Sequence, residues 1–393
     1  MKGKPLRILV AHQAPRARTG GMSRLMGFIH DQVGLAGHVV DYFCADDVPH
    51  ALNGRLARFS FPLLVSRRAI AAAQLGHPYD IINVHEPSAS AISNMKRVAG
   101  NPRVVVTSHG VERRGWELSL EELRLGREGP TRKTRLLYPL TSLWQSGLGL
   151  RRADHIFCLN CEDRSYLMER LNLGAEKITR IYPATDALFA ASAGARDYSR
   201  AERLLFAGTW LKRKGIEDLI PAFAALVARH PLLTLTVLGG GKPEAEIRAA
   251  FPEHLRSRIK CHQAATEVET AALFADADIY LLPSLFEGTP LTLMEAMMSG
   301  LPIVTTAACG MKDVIQHGIN GLLVPIRSPE AIVEAVEQLI SDAAHRARLG
   351  RAAQAEALEN YNWELVAAPV REVYESLCSR QGEGKRVSSR VDA

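Results

Sequence analysis

Two glutamates, Glu287 and Glu295, stand eight residues apart in the run EGTPLTLMEAMMSGLPIVTT, and between them the residue types predict the start of a helix. Thr289 is a good N-cap with Pro290 pre-set for the first helical position, so the N–H groups unpaired at that end form an anion site. Gly288 precedes the cap, and Leu291 and Thr292 follow it. A carboxylate beside bound phosphate is repelled by it, so the partners expected for Glu287 and Glu295 are neutral hydroxyls, as on a sugar or a ribose. Two acids on one helix suggest two hydroxyl-bearing rings. The plainer alternatives are a loop acid stabilising the helix dipole for Glu287 and a surface glutamate for Glu295.

Cations suited to the same anion lie in GTWLKRKG (208–215), where Gly208 is followed by Lys212, Arg213 and Lys214. Other chemistry-bearing residues follow short apolar runs: Gly20 and Gly21, Glu86, His109, and Gly240 within a glycine triplet.

The elements that must hold these residues follow from patterning. Short β-branched runs alternate with longer amphipathic stretches, the pattern of parallel sheets covered by helices. Six runs fall in the first half (7–12, 38–43, 81–85, 104–109, 155–160, 178–182) and five in the second (203–208, 233–239, 279–284, 301–306, 321–325). The fold class is therefore α/β, with two doubly wound parallel-sheet domains. In such sheets ligands bind beyond the carboxyl ends of the strands, and Gly20-Gly21, Glu86, His109, the loop 209–215, Gly240 and the loop from Glu287 all end or follow a run. The Ala-, Ser- and Pro-rich segment 183–200 reads as an interdomain linker. The polar tail from Ser379 reads as disordered, giving domains of 1–182 and 186–360 and a tail of 379–393.

These residues together resemble glycosyltransferase family 4, whose signature is Glu, seven residues, Glu, and whose GT-B architecture pairs two Rossmann-like domains facing a central cleft. Residues 208–223 look like the family's diphosphate loop and helix, 236–247 like its glycine loop, and 317–325 like the hairpin after its signature. VVVTSHG (104–110), the Gly20-Gly21 loop and the terminal YNWELVAAPVREVYESL (361–377) also fit. The resemblance implies a retaining, metal-independent enzyme of polysaccharide biosynthesis that moves a hexosyl group from a nucleotide-sugar to a glycan or lipid-linked acceptor. It implies that Glu295 binds the donor ribose, Glu287 the sugar hydroxyls and Lys214 the diphosphate. His109 would lie near the sugar, Gly20 and Gly21 would admit the phosphates to the backbone, and Glu86 would sit on the acceptor side. The base would be met by backbone near Cys261 to Ala265, and a terminal helix (362–378) would cross back onto the first domain. The chain departs from the family pattern at Thr209, where Arg is usual. Arg213, or Lys212 in its place, would supply the missing cation.

Other motifs have simpler readings. Asp276 and Asp278 match a metal-binding Asp-x-Asp, but they precede a strand and so fall at the wrong end of the sheet, which makes them structural. Cys158 and Cys161 lack a second pair or a nearby His for zinc and read as buried thiols. No glycine run matches a dinucleotide fingerprint. No cofactor or metal is expected.

Composition fits a water-soluble globular chain, 47% hydrophobic and 23% charged, with no signal peptide or membrane-spanning run, and scattered cysteines are expected to be reduced in the cytoplasm. The net charge of +6 is uneven, +9 in residues 1–190 and −3 beyond. The excess concentrates in 112–152, where Trp116, Leu136, Leu137, Tyr138, Leu143 and Trp144 are interleaved with nine Lys or Arg, and Pro139 is expected to break the stretch. It reads either as a solvated basic face over core aromatics or as a surface that docks peripherally on anionic membrane. A nucleic-acid binder is disfavoured because no basic-aromatic module is recognisable. A catalytically silent GT-B subunit is the remaining alternative, against which the intact Glu287, Glu295 and Lys214 speak.

Overall fold

The computed structural model describes residues 4–17, 20–52, 57–86, 88–263 and 266–388. The chain forms two compact units, Met1–Tyr182 with Glu364–Ala393, and Pro183–Trp363. The first unit holds a parallel sheet of β1 (Arg7–Ala11), β2 (Val39–Phe43), β3 (Ile81–His85), β4 (Arg103–Thr107), β5 (His155–Cys158) and β6 (Ile178–Arg180), in the order β2-β1-β3-β4-β5-β6. Ile8 pairs with Ile81, and Ile81 with Arg103. Ile8 to Ala11 and Val104 to Val106 are buried because helices cover both faces of the sheet, which is why these strands are runs of β-branched residues without alternation. The order reverses between β1 and β3, and that places the crevice at the ends carrying His12 and His85.

The second unit repeats the plan with β7 (Arg203–Ala207), β8 (Thr234–Leu238), β9 (Ile259–His262), β10 (Ile279–Leu282), β11 (Ile303–Thr306) and β12 (Leu322–Val324). Its order is β12-β11-β10-β7-β8-β9, the arrangement of dinucleotide-binding folds, with the reversal between β7 and β10. The sequence reading lacked β9. Only Ile259 of IKCH is buried, so this edge strand carries little hydrophobic signal.

Three further expectations are corrected. The segment 183–200 is not a bare linker: it carries the helix Leu188–Ala193, buries Phe189 against Phe274, and Arg196 donates to the carbonyls of Ser299, Ala277 and Phe274. The expected disordered tail is partly helical, since the helix Trp363–Ser388 runs past Ser379; residues 389–393 lie outside those described. Pro139 does not break its stretch. The helices Arg132–Tyr138 and Trp144–Arg152 are joined through a π-helical turn at Pro139–Leu143, which accommodates a ring that an α-helix interior rejects.

The terminal helix docks on the first unit through a buried polar chain. Asn83 Nδ2 donates to the Tyr374 hydroxyl at 2.6 Å, and that hydroxyl meets His30 Nε2 at 2.8 Å. His30 Nδ1 lies 2.7 Å from the Met26 carbonyl, which only accepts, so Nδ1 carries the proton and Tyr374 donates to Nε2. Burial pushes the His30 pKa down to about 4, which keeps the ring neutral and this direction of donation fixed.

Candidate active site

In the second unit, the loops after β7 and β10 meet beyond the strand ends where the sheet order reverses. Leu285 N–H donates to the Arg213 carbonyl at 2.8 Å, joining the two loops. Lys212–Lys214 forms one 3₁₀ turn closed by Gly215, whose φ of 74° favours glycine and whose Cβ, if present, would lie 1.8 Å from the Pro283 carbonyl oxygen. Gly208 has φ 148°, and a Cβ there would touch the Lys214 Cε and Nζ at 3.4 Å, so its bare surface is the channel along which the lysine passes. Gly240 accepts the Trp210 N–H, and a Cβ on it would strike Ile247 at 2.5 Å. These contacts give each glycine a physical reason.

The lysine emerges against Glu287. Lys214 Nζ lies 2.7 Å and Arg213 Nη1 3.1 Å from Glu287 Oε1, with Lys214 and Glu287 buried and Arg213 exposed. Burial works to raise the Glu287 pKa, but Lys214 and Arg213 outweigh it and hold the carboxyl below the usual range. The site thus presents a buried carboxylate with one buried and one exposed cation. Arg213 faces Glu287 beside Lys214, whereas Lys212 pairs with Glu217.

The helix after Glu287 spans Leu291–Met298, with Pro290 at the cap in place of Thr289. Thr289 instead packs under Gly310, whose N–H donates to the Gly288 carbonyl at 2.9 Å and whose Cβ would overlap the Thr289 side chain. Glu295 is 0% exposed, which removes the surface-glutamate alternative. Thr292 accepts from the Tyr280 hydroxyl at 2.8 Å, fixing the first helical turn to β10. Gly215 and Gly310 were missed as site-building residues. The glycine directly after three cations was the available signal for Gly215; Gly310 had none.

In the first unit, His109 follows β4 and packs its ring 4.8 Å from that of His85. Burial first, then His85 and His12, lower the His109 pKa well below its ordinary value, so the ring is neutral, and Nε2 has no hydrogen-bond partner among the described residues. A neutral imidazole with an unmatched ring nitrogen suits a hydroxyl. Gly20 and Gly21 open the helix Gly21–Leu35, and both have room for a Cβ without conflict, so nothing internal demands glycine there.

Glu86 is enclosed. It accepts from Ser108 Oγ at 2.6 Å, from the Glu112 N–H at 3.3 Å and from Ser146, tying three segments together. Burial pushes its pKa up to about 7 against those hydrogen bonds. Asp278 accepts from the Glu202 and Arg203 N–H groups and pairs with Arg203, as does Asp276, which gives both aspartates structural partners. Cys158 is buried, but Cys161 is exposed at the first position of the helix Cys161–Leu171, correcting the reading of both as buried thiols. Ala264 and Ala265 of the expected base-contact segment lie outside the described residues.

A chain of two doubly wound units, the second with a Lys–Glu pair and a buried helix glutamate at its switch point, has the plan of a GT-B glycosyltransferase. Family models agree along the chain: glycosyltransferase family 4 matches residues 19–187, and glycosyl transferases group 1 matches residues 194–356. The chain belongs to the family 4 glycosyltransferases. It is 27% identical to a phosphatidyl-myo-inositol mannosyltransferase of Mycobacterium leprae over 95% of its own length and 92% of that protein. It is 29% identical to a glycogen synthase of Mycobacterium tuberculosis over 60% of this chain, a match spanning little more than half (56%) of that protein. The fold is similar to that of a sucrose-phosphate synthase from Thermosynechococcus elongatus, with a TM-score of 0.78 at 22% identity, covering 95% of this chain and 99% of the other.

Proposed function

We propose that the chain transfers a sugar, with retention of anomeric configuration and without a metal, from a nucleoside diphosphate donor to a glycan or lipid-linked acceptor. The observation that carries this is the buried Lys214–Glu287 pair at the β7/β10 switch point. Breaking the sugar–phosphate bond builds positive charge on the anomeric carbon and negative charge on the departing diphosphate, and Lys214, Arg213 and the N-terminal turn of Leu291–Met298 supply the cations and dipoles for the latter. Donor phosphate draws Lys214 from Glu287, whose carboxylate then accepts sugar hydroxyls; Glu295 holds the ribose. The acceptor oxygen bonds to the anomeric carbon on the leaving-group face, the bond to the diphosphate oxygen breaks, and the acceptor proton passes to that diphosphate. No dedicated base is needed, and neutral His109 serves as a positioning hydrogen-bond group.

Thermal-shift titration with UDP-, GDP- and ADP-sugars in excess EDTA tests the reading. A donor at 100 times its dissociation constant is expected to stabilise by roughly 2.7 kcal/mol. Glu295→Ala is expected to weaken nucleotide binding by about 1.5 to 3 kcal/mol, the worth of hydrogen bonds to a charged acceptor. Binding of every donor that appears only when Mg²⁺ replaces EDTA, or unchanged calorimetric affinities in Glu295→Ala, would overturn these assignments.

The acceptor side is read as a peripheral membrane surface. On the helical stretch from Arg132, Leu136, Leu140 and Trp144 are exposed (69%, 69% and 61%) at helical spacing, beside exposed Arg132, Lys133 and Arg135. An exposed apolar stripe flanked by cations supports docking on anionic lipid and weighs against a solvated face over core aromatics. Among the described residues no helix is long and apolar enough to cross a membrane. Flotation with anionic vesicles at low salt is expected to carry the protein up, and reversing Arg132, Lys133 and Arg135 to Glu to release it. Equal partitioning onto neutral vesicles would sink the idea.

A further inference from the structure

A second charged site lies on the first unit, lined by none of the residues assigned to the donor. Arg113, Arg151 and Arg170 line a pocket of about 340 Å³ together with Glu117, Tyr166 and Leu171. The size falls within the range of small-molecule sites. Three separate helices supply the cations: Glu112–Arg124, Trp144–Arg152 and Cys161–Leu171. Arg151 and Arg170 sit in the last turns of helices whose chains then return toward the start of a strand. The pocket thus draws its cations from the first turn of one helix and the last turns of two others.

What sets these arginines apart is how little the protein does with their charge. Arg114, next to Arg113, turns inward and pairs with Asp163 and Glu162. Among the described residues Arg113, Arg151 and Arg170 make no ion pair. The one carboxylate in the pocket, Glu117, accepts a hydrogen bond from the Tyr166 hydroxyl at 2.7 Å. The bare surface of Gly147 lies 3.2 Å from Arg151 Nη1 at the position a Cβ would take, so the guanidinium folds back along its own helix. All three arginines are exposed, and the planar donor forks of guanidinium groups that line one pocket match phosphate oxygens.

We propose that this pocket binds a phosphoryl group, as a site separate from the donor diphosphate. The phosphate can come from a soluble phosphorylated compound or from a lipid headgroup. Trp144 of the exposed stripe and Arg151 lie two turns apart on one side of the same helix, so both sources reach the same chemistry.

The test uses the full chain carrying Lys214→Ala, which weakens the diphosphate site. Calorimetric titration with inorganic phosphate, then glycerol 3-phosphate, is expected to show saturable binding that weakens with salt. Adding Arg151→Gln and Arg170→Gln is expected to lower affinity by about tenfold or more, while Arg152→Gln, at an exposed neighbour, leaves it unchanged. Thermal melts check the fold, and Arg113→Gln alone replaces the double change if that variant unfolds. Phosphatidylcholine vesicles with and without phosphatidic acid separate the sources: binding that needs phosphatidic acid and Arg151 identifies a headgroup, and glycerol 3-phosphate binding with no gain from phosphatidic acid identifies a soluble one. Phosphate affinity indifferent to Arg151 and Arg170, or equally reduced by Arg152→Gln, overturns the proposal. Loss of the pocket leaves the effect of Lys214 on turnover untouched, so the two readings fail separately.

Discussion

Replacing Lys214 with alanine is expected to lower turnover by about two to three orders of magnitude, the range for removing one preorganised charge stabiliser. The ammonium is buried, emerges past Gly208 and meets Glu287 at 2.7 Å, so it is held at the site before a donor binds and has only to turn from that carboxylate to the phosphate. A group already in place needs no reorganisation when charge develops on the leaving diphosphate. The fold is expected to survive because Arg213 still faces Glu287 at 3.1 Å and prevents a lone buried carboxylate. Steady-state rates at saturating donor, with circular dichroism as the control, decide the matter. Near-wild-type turnover would remove Lys214 from the diphosphate site, and a lost circular dichroism signal would make it structural.

Acid is expected to destabilise the first unit well before most carboxylates titrate. Burial lowers the pKa values of His30, His85 and His155 from 6.5 to about 4, so between these limits the unfolded chain binds protons that the folded chain does not. Stability therefore rises with pH across that window and is lost as pH falls from about 6.5 toward 4, by on the order of 3 kcal/mol for each buried ring. Glu86 opposes them: its pKa is raised from 4.5 to about 7, so its contribution is present in acid and lost as pH rises toward 7. Three rings against one carboxyl leave a net loss on acidification. Melting of the first unit, followed by hydrogen exchange between pH 7.5 and 4, is expected to move steadily downward. Protection that is flat with pH, or a His30 ring titrating near 6.5 by NMR, would show that the buried rings are not held neutral.

What could be read from the chain depended on how far each feature was local. Ile8 to Ala11 and Val104 to Val106 announced central parallel strands because burial on both faces demands continuous apolar runs. The edge strand Ile259–His262 did not, since its neighbours ask little of Lys260 and His262. Glu287 and Lys214 could be singled out as candidates because residue type and position after a strand coincide there, whereas Glu295, inside a helix, stood out only through the spacing of the family signature. The contact of Gly310 with Gly288 and Thr289 was invisible, because it depends on two segments meeting in space. Pro139 misled for a related reason: the rule that proline breaks helices is local, whereas the π-turn that spares this one is set by the surrounding helices. The unpaired charges of Arg113 and Arg151 were likewise counted as part of a basic stretch that Arg170 lies beyond, with nothing in the sequence to separate them from the paired Arg114.

Tyr374 is fully buried against Asn83 and His30, yet more than 290 residues separate it from either strand or helix partner being made. During synthesis the first sheet leaves the ribosome early, while the side chain that completes its interior appears only after the whole second unit. The second unit, Pro183–Trp363, is contiguous and has all its own strands by then. The order of emergence is thus reversed in the order of completion: the unit begun first is finished last, and until then it exposes Asn83 and His30 without their partner. A chain shortened before Tyr374 would carry every strand of both sheets and still leave the earlier-made half unfinished.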